Sequence, residues 1–203
     1  MVAAVEGAPG VNLRELSIPG LYVLESPVWG DDRGFFREWF KLPDLASAGV
    51  DFQARQANLS MSARNVVRGL HYSMAPEGQA KVVTCVFGEL DDVIVDVRLG
   101  SPTFGHVEVV HLGADEGRSV LLPVGVAHGF CVTSENAALS YLLSSTFNAA
   151  LELEIDPLDA EINVPWTIQG EPMMSEKDAA APSLAQRRAA NQLPLFDPSN
   201  RLG

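Results

Sequence analysis

Short apolar and alternating runs, separated by turn residues, fill most of this chain. Residues 56–61 alternate polar with apolar, the period of a half-buried strand. Residues 81–87 and 91–98 are rich in β-branched side chains and stand either side of Gly88-Glu89, a hairpin-like spacing. Residues 22–24, 106–112, 119–122, 129–132 and 138–143 continue the strand pattern. Gly30-Asp31-Asp32-Arg33-Gly34 reads as a turn, and residues 35–40 read as a strand with aromatics on both faces. Residues 42–48 predict a short helix stopped by Gly49. Residues 183–192 predict the clearest helix, starting at Pro182-Ser183.

Many short strands at intervals of about 8–12 residues predict an all-β fold, a sandwich or barrel. Parallel βαβ units would need helical periodicity between strands, and almost none occurs before residue 178. The length of 203 residues fits one domain. Its core is expected over about 16–178, with a helix and tail over 179–203. The first ten residues are expected to fray, and residues 193–203 to be loose or docked on a partner.

Hydrophobic residues make up 47% of the chain, enough for a substantial core, and the formal net charge is −12. Such a chain repels nucleic acid and anionic membrane unless its few cations are focused. Arg64, Arg68 and Lys81 stand close in sequence, which points to a local positive site, although Arg64 reads as a solvated loop residue. Cys85 and Cys131 lie in apolar runs and read as buried free thiols. Residues 1–9 lack a charged start and a long apolar core, and no run approaches about 18 apolar residues. The expectation is a cytoplasmic protein with no membrane or nucleic-acid partner.

The chemistry concentrates in Arg68-Gly69-Leu70-His71-Tyr72, with Lys81 following. Histidine titrates near neutrality and suits a general base. Lysine supplies a compact cation, and arginine a fork of donors that matches phosphate. Base, cation and anion clamp together suit proton abstraction from carbon in a phosphorylated substrate. Taken singly, His71 reads as structural, Tyr141 as a core tyrosine and Asp178 as a helix N-cap. Spacing alone does not bring these residues together.

Several ordered blocks carry a resemblance. They include Asp32-Arg33-Gly34-Phe35-Phe36 with Glu38, Gln56-Ala57-Asn58-Leu59-Ser60, and Val67-Arg68-Gly69-Leu70-His71. Gln79-Ala80-Lys81, Ser101-Pro102-Thr103-Phe104-Gly105, Ala127-His128-Gly129-Phe130 and Ser175-Glu176-Lys177-Asp178 follow. With these blocks the chain resembles the dTDP-4-dehydrorhamnose 3,5-epimerase family, the cupin-type sugar-nucleotide epimerases. The resemblance implies a dimeric cupin-like antiparallel β-sandwich (a jelly roll) with a few short helices, mainly C-terminal. It implies no cofactor and no metal, and a dTDP-4-keto-6-deoxyhexose as substrate. His71 matches the family's general base, Asp178 its orienting carboxylate, Tyr141 the general acid and Lys81 the cation facing the ketone. Arg33 and Arg68 match diphosphate ligands. Glu38, Gln56, Ala57, Asn58, His128, Glu152 and Lys177 match further substrate-binding positions, some supplied by a partner subunit.

The chain departs from the family around Tyr141. Leu142 stands where several members carry lysine, Thr146 and Phe147 where many carry a tyrosine, and Ala149-Ala150 replaces Pro-Glu. Ile155-Asp156-Pro157-Leu158-Asp159 replaces a Trp-Asn-Asp block. The favoured activity is inversion at C3 and C5 of dTDP-4-dehydro-6-deoxy-D-glucose, and the alternative is inversion at C3 alone. Two other readings differ in kind. A non-catalytic nucleotide-sugar binder would be free to lose one of the four reactive side chains. A metal-dependent cupin would need converging histidines, and His71, His106, His111 and His128 form no His-x-His pair.

Overall fold

A computed structural model describes residues 10–199. Its strands are β1 (Asn12–Glu15), β2 (Tyr22–Glu25), β3 (Trp29–Asp31), β4 (Gly34–Phe36), β5 (Gln56–Ala63), β6 (Val67–Ser73) and β7 (Lys81–Phe87). They continue with β8 (Glu89–Asp96), β9 (Val107–Gly113), β10 (Arg118–Leu122), β11 (Val126–Val132), β12 (Asn136–Leu143) and β13 (Glu152–Glu154). Three short helices are α1 (Leu42–Ser47), α2 (Glu176–Ala179) and α3 (Leu184–Ala189). Two sheets dominate, in the orders β1-β2-β10-β7-β12-β5 and β13-β6-β11-β8-β9, and β3 with β4 forms a separate hairpin. The strand pairs are antiparallel throughout. The architecture is the expected cupin-like β-sandwich.

Side-chain alternation sorts the core into three layers. Val83, Cys85, Leu139, Val120 and Leu122 of the first sheet meet Leu90, Ile94, Phe130 and Val132 of the second in the space between them. The outer face of the second sheet, with Leu70, Tyr72, Val93 and Val95, is covered by Ile155, Ile162, Leu184 and Leu193. The outer face of the first, with Leu24, Val82 and Leu121, is covered by Leu45, Val50 and Phe52. Both cysteines are buried free thiols.

Four elements differ from the sequence-based expectations. The strand expected over 35–40 ends at Phe36. The chain then leaves the ladder because Arg37 reaches the first sheet, donating to Thr84 Oγ1 at 2.6 Å and the Cys85 carbonyl at 2.7 Å. Trp39 and Phe40 pack under α1 instead of alternating. Val67–Ser73 is a strand, although Arg68 and Gly69 hide its periodicity. The C-terminal helix is shorter than expected and is closed by Ala190, with Asn191 at φ +54°. The tail is not loose through Phe196, because Leu193 is buried and the Leu99 N–H donates to the Pro194 carbonyl at 2.8 Å. The Arg98 guanidinium lies 5.0 Å from the Phe196 ring centre. Of the ten residues expected to fray, the first nine lie outside those described.

Candidate active site

A sandwich interior should be apolar, so polar residues at inward-facing positions mark a site. On β7, Lys81 points the same way as Val83 and Cys85. On β12, Tyr141 follows Ala137 and Leu139 and packs against the same core. Asn58 of β5 is the register partner of Tyr141, and Gln56 lies on the same face. From the opposite sheet, β6 contributes His71, β11 His128, β8 Asp92 and β13 Glu152. One end of the sandwich is therefore polar, and the other is filled by aliphatic side chains.

The strongest local order is a His–Asp pair. His71 Nε2 lies 2.7 Å from Asp178 Oδ1. Ser175 is the N-cap of α2, its Oγ accepting from the Asp178 N–H at 3.1 Å. The capping role expected for Asp178 thus belongs to Ser175, which leaves the Asp178 carboxylate free to reach His71. Burial raises the Asp178 pKa, but the His71 bond and charge and the Gly69 N–H outweigh it, so the net shift is downward. The carboxylate stays ionised beside the imidazole, which fixes the ring and stabilises its protonated form.

A second pair stands beside it on the same sheet. His128 Nε2 lies 2.7 Å from Asp92 Oδ1. Asp92 is fully buried, and its Oδ2 has no hydrogen-bond partner. The sequence motifs point to His128 but not to Asp92 as a site residue, because Asp92 sits in a β-branched run that reads as plain core. The signal available was an acidic residue at an inward strand position.

Burial pushes the Lys81 ammonium below the ordinary lysine range, while Glu152 and Asp92 pull against that shift. Burial holds Glu152 above the ordinary carboxylate range, opposed by Lys81, His71 and Lys177. Lysine, glutamate and the His–Asp pair therefore share one electrostatic environment. A cavity of about 410 Å³ is lined by Arg68, His71, Met173, Ser175, Lys177 and Asp178 among others. A second, of about 250 Å³, reaches Glu152 past Gly78, Ser145 and Asn148.

The remaining expected residues divide. Arg68 borders the first cavity and donates to Ser62 Oγ at 2.9 Å. Gln56 donates to Asn58 Oδ1 at 2.9 Å and accepts from the Phe147 N–H. Ala57 alternates to the exposed side of β5. Arg33 and Glu38 do not line either cavity. Arg33 is exposed at the β3–β4 turn, paired with Asp31, and Glu38 lies 4.0 Å from Lys41. Arg64 is exposed, as expected. Among the described residues no cluster of three or more His, Cys, Asp or Glu is placed to hold a metal ion. No described helix is long and apolar enough to cross a membrane.

The family model for dTDP-4-dehydrorhamnose 3,5-epimerase matches residues 15–186. The chain belongs to the dTDP-4-dehydrorhamnose 3,5-epimerase family. The protein is an isomerase-class epimerase. It is 43% identical over 187 residues to a dTDP-4-dehydrorhamnose 3-epimerase of Streptomyces niveus, covering 92% of this chain and 90% of that protein. It is 41% identical over 187 residues to a 3,5-epimerase of Mycolicibacterium smegmatis, covering 92% of each. Among solved structures it is similar to NovW, a 4-keto-6-deoxy sugar epimerase from the novobiocin gene cluster of Streptomyces spheroides. There the TM-score is 0.89 at 42% identity, with 96% of this chain and 98% of that one covered. The 3'-monoepimerase ChmJ of Streptomyces bikiniensis, in complex with dTDP-quinovose, gives a TM-score of 0.86 at 39% identity, covering 90% and 92%.

Proposed function

We propose that this epimerase inverts C3 and C5 of dTDP-4-dehydro-6-deoxy-D-glucose to give dTDP-4-dehydro-L-rhamnose. The observation that carries this reading is the His71–Asp178 pair, closed at 2.7 Å between β6 and α2, while Tyr141 and Lys81 stand on the facing sheet. The 4-keto group acidifies the protons on C3 and C5. His71 removes a proton from one face of the ring, and Asp178 holds the resulting imidazolium. The enolate oxygen is stabilised by Lys81, a preorganised cation in a desolvated setting. Tyr141 delivers its phenolic proton to carbon from the opposite sheet, and the imidazolium and phenolate are reset by proton exchange with solvent, so each cycle inverts one carbon. The ketone already activates both carbons, so this sequence draws on the chain's own side chains.

Arg68 and Lys177 border one cavity and supply two cations for the diphosphate. His128, Glu152, Gln56 and Asn58 are read as polar contacts to the sugar and nucleotide. The chain is further proposed to work as a homodimer in the cytoplasm. Phe35 and Phe36 of the β3–β4 hairpin and Leu59 and Met61 of β5 are exposed large hydrophobics, which suits a covering partner. In that arrangement a second copy would bring Arg33 and Glu38 to the site they do not reach within one chain, with Ala57 beside them.

Inversion at C3 alone is the second reading. It is favoured by Phe147, exposed and held to Gln56 through its N–H, which puts a side chain without a hydroxyl beside the acid-bearing sheet. Deuterium incorporation in D₂O separates the two readings. Label at both carbons supports double inversion, and label at C3 alone supports the second reading.

A further inference from the structure

The segment after the matched family region reaches the strand beside His71 through one buried arginine. Arg187 of α3 is 7% exposed. Its Nε donates to the Glu154 carbonyl at 2.8 Å, and Nη1 donates to Gln192 Oε1 at 2.7 Å. Its Nη2 lies 3.4 Å from Glu154 Oε1. The other oxygen of Glu154, Oε2, is 3.1 Å from the Lys177 Nζ. Glu154 is in turn the register partner of His71. The strand that carries Glu152 and Glu154 is three residues long and stands at the end of its sheet. Its backbone is held by the β6 ladder and its outer face by Leu153 and Ile155, while the Glu154 carboxylate is held by Arg187 and Lys177. Behind it, Leu184 packs against Leu70 and Tyr72, and the Tyr72 hydroxyl donates to the Gln192 carbonyl at 2.7 Å.

The charges are unequal in their surroundings. The Arg187 side chain is 8% exposed, whereas that of Lys177 is 65% exposed and borders the cavity. One carboxylate thus serves an inner and an outer cation. A lysine side chain has rotamer entropy to lose on binding. Held by Glu154, Lys177 has already lost part of it. Were Glu154 committed to Lys177 alone, that carboxylate would compete with an incoming phosphate for the ammonium. Arg187 takes up part of the negative charge.

We infer that Arg187 is a positioning residue of the active site: it holds Glu154, and Glu154 presents the Lys177 ammonium to the anionic end of the substrate. The inference rests on the proposed diphosphate role of Lys177. It concerns binding rather than the proton transfers, so its signature is a change in KM.

The test is steady-state kinetics, with dTDP binding by calorimetry, on Arg187→Met, Lys177→Met and the double variant. Arg187→Met should raise KM and the dTDP dissociation constant about tenfold, with kcat within about threefold of the wild type. Adding Arg187→Met to Lys177→Met should cost little more, because both act through one ammonium. Arg187→Lys, which keeps the charge and loses the fork, should recover part of the affinity. Unchanged KM in folded Arg187→Met, a loss confined to kcat, or full additivity in the double variant would overturn the inference. Should Arg187→Met not fold, Glu154→Gln decides in the same way: raised KM supports the inference and unchanged KM overturns it. A wild-type protein that binds no dTDP removes the proposed substrate and this inference with it. Binding by the wild type with unaltered variants removes this inference alone.

Discussion

His71 and His128 are register partners on β6 and β11, and each approaches an aspartate through Nε2 at 2.7 Å. The two pairs differ in access. The His71 side chain is 40% exposed and that of His128 is 11%, with Asp92 fully buried behind it. A base must meet substrate, so the greater access of His71 supports its proposed role in proton abstraction, with His128 proposed to contact the sugar from within.

Loss of the base should cripple turnover. His71→Ala is expected to lower kcat by about 10²–10⁴-fold while the protein folds and binds dTDP. Asp178→Asn should lower kcat in the same direction. It should also change acid stability. The folded Asp178 pKa lies below its ordinary 3.8, so its contribution is present above that value and is lost as pH falls through the folded one. Urea unfolding from pH 7 down to pH 3 reads this, and a variant with the wild-type pH dependence contradicts it.

Tyr141→Phe should damage epimerisation more than solvent exchange at carbon, because abstraction by His71 survives while return from the other face fails. Parallel NMR measurements of exchange and inversion decide it. Equal loss of both argues against Tyr141 as the acid.

The basic limb of the kcat profile should lie below the ordinary lysine value of 10.5, because burial lowers the Lys81 pKa. Raising pH through that lowered value removes the cation that meets the enolate. Glu152 pulls the Lys81 pKa upward, so Glu152→Gln should move the limb to lower pH. A limb that stays in place in Glu152→Gln speaks against this coupling.

Gly69 sits where β6 passes closest to β11, at φ +118°, and a Cβ there would meet the Gly129 Cα at 2.6 Å and the His128 carbonyl at 2.7 Å. Both the strained φ and backbone contact oppose any side chain. Gly69→Ala should cost about 2 kcal/mol or more, read as a Tm lowered by several degrees. An unchanged Tm would show that the two strands can separate freely beside the paired histidines.

The strands visible in the sequence were those whose faces are uniform. β7 and β8 are buried over most of their length, and their β-branched runs read directly, while β12, half buried, reads through the apolar stretch 138–143. The strand of His71 was legible only as a motif, because Arg68 is exposed, Gly69 has no side chain, and His71 faces a polar interior. The same cause hid Asp92. Strand periodicity assumes that inward means apolar, and that assumption fails where a site is built. Asp178 is 107 residues from His71, and no local pattern could join them. Arg37 ended a predicted strand through hydrogen bonds to β7, another long-range effect.

The central claim is tested most directly by proton NMR of dTDP-4-dehydro-6-deoxy-D-glucose with the protein in D₂O. Deuterium is expected at both C3 and C5, with the trapped product in the L-lyxo configuration, and loss of both labels is expected in His71→Ala. Deuterium and inversion at C3 alone would establish the single-inversion reading instead. Exchange at neither carbon, or full exchange in His71→Ala, would contradict the account.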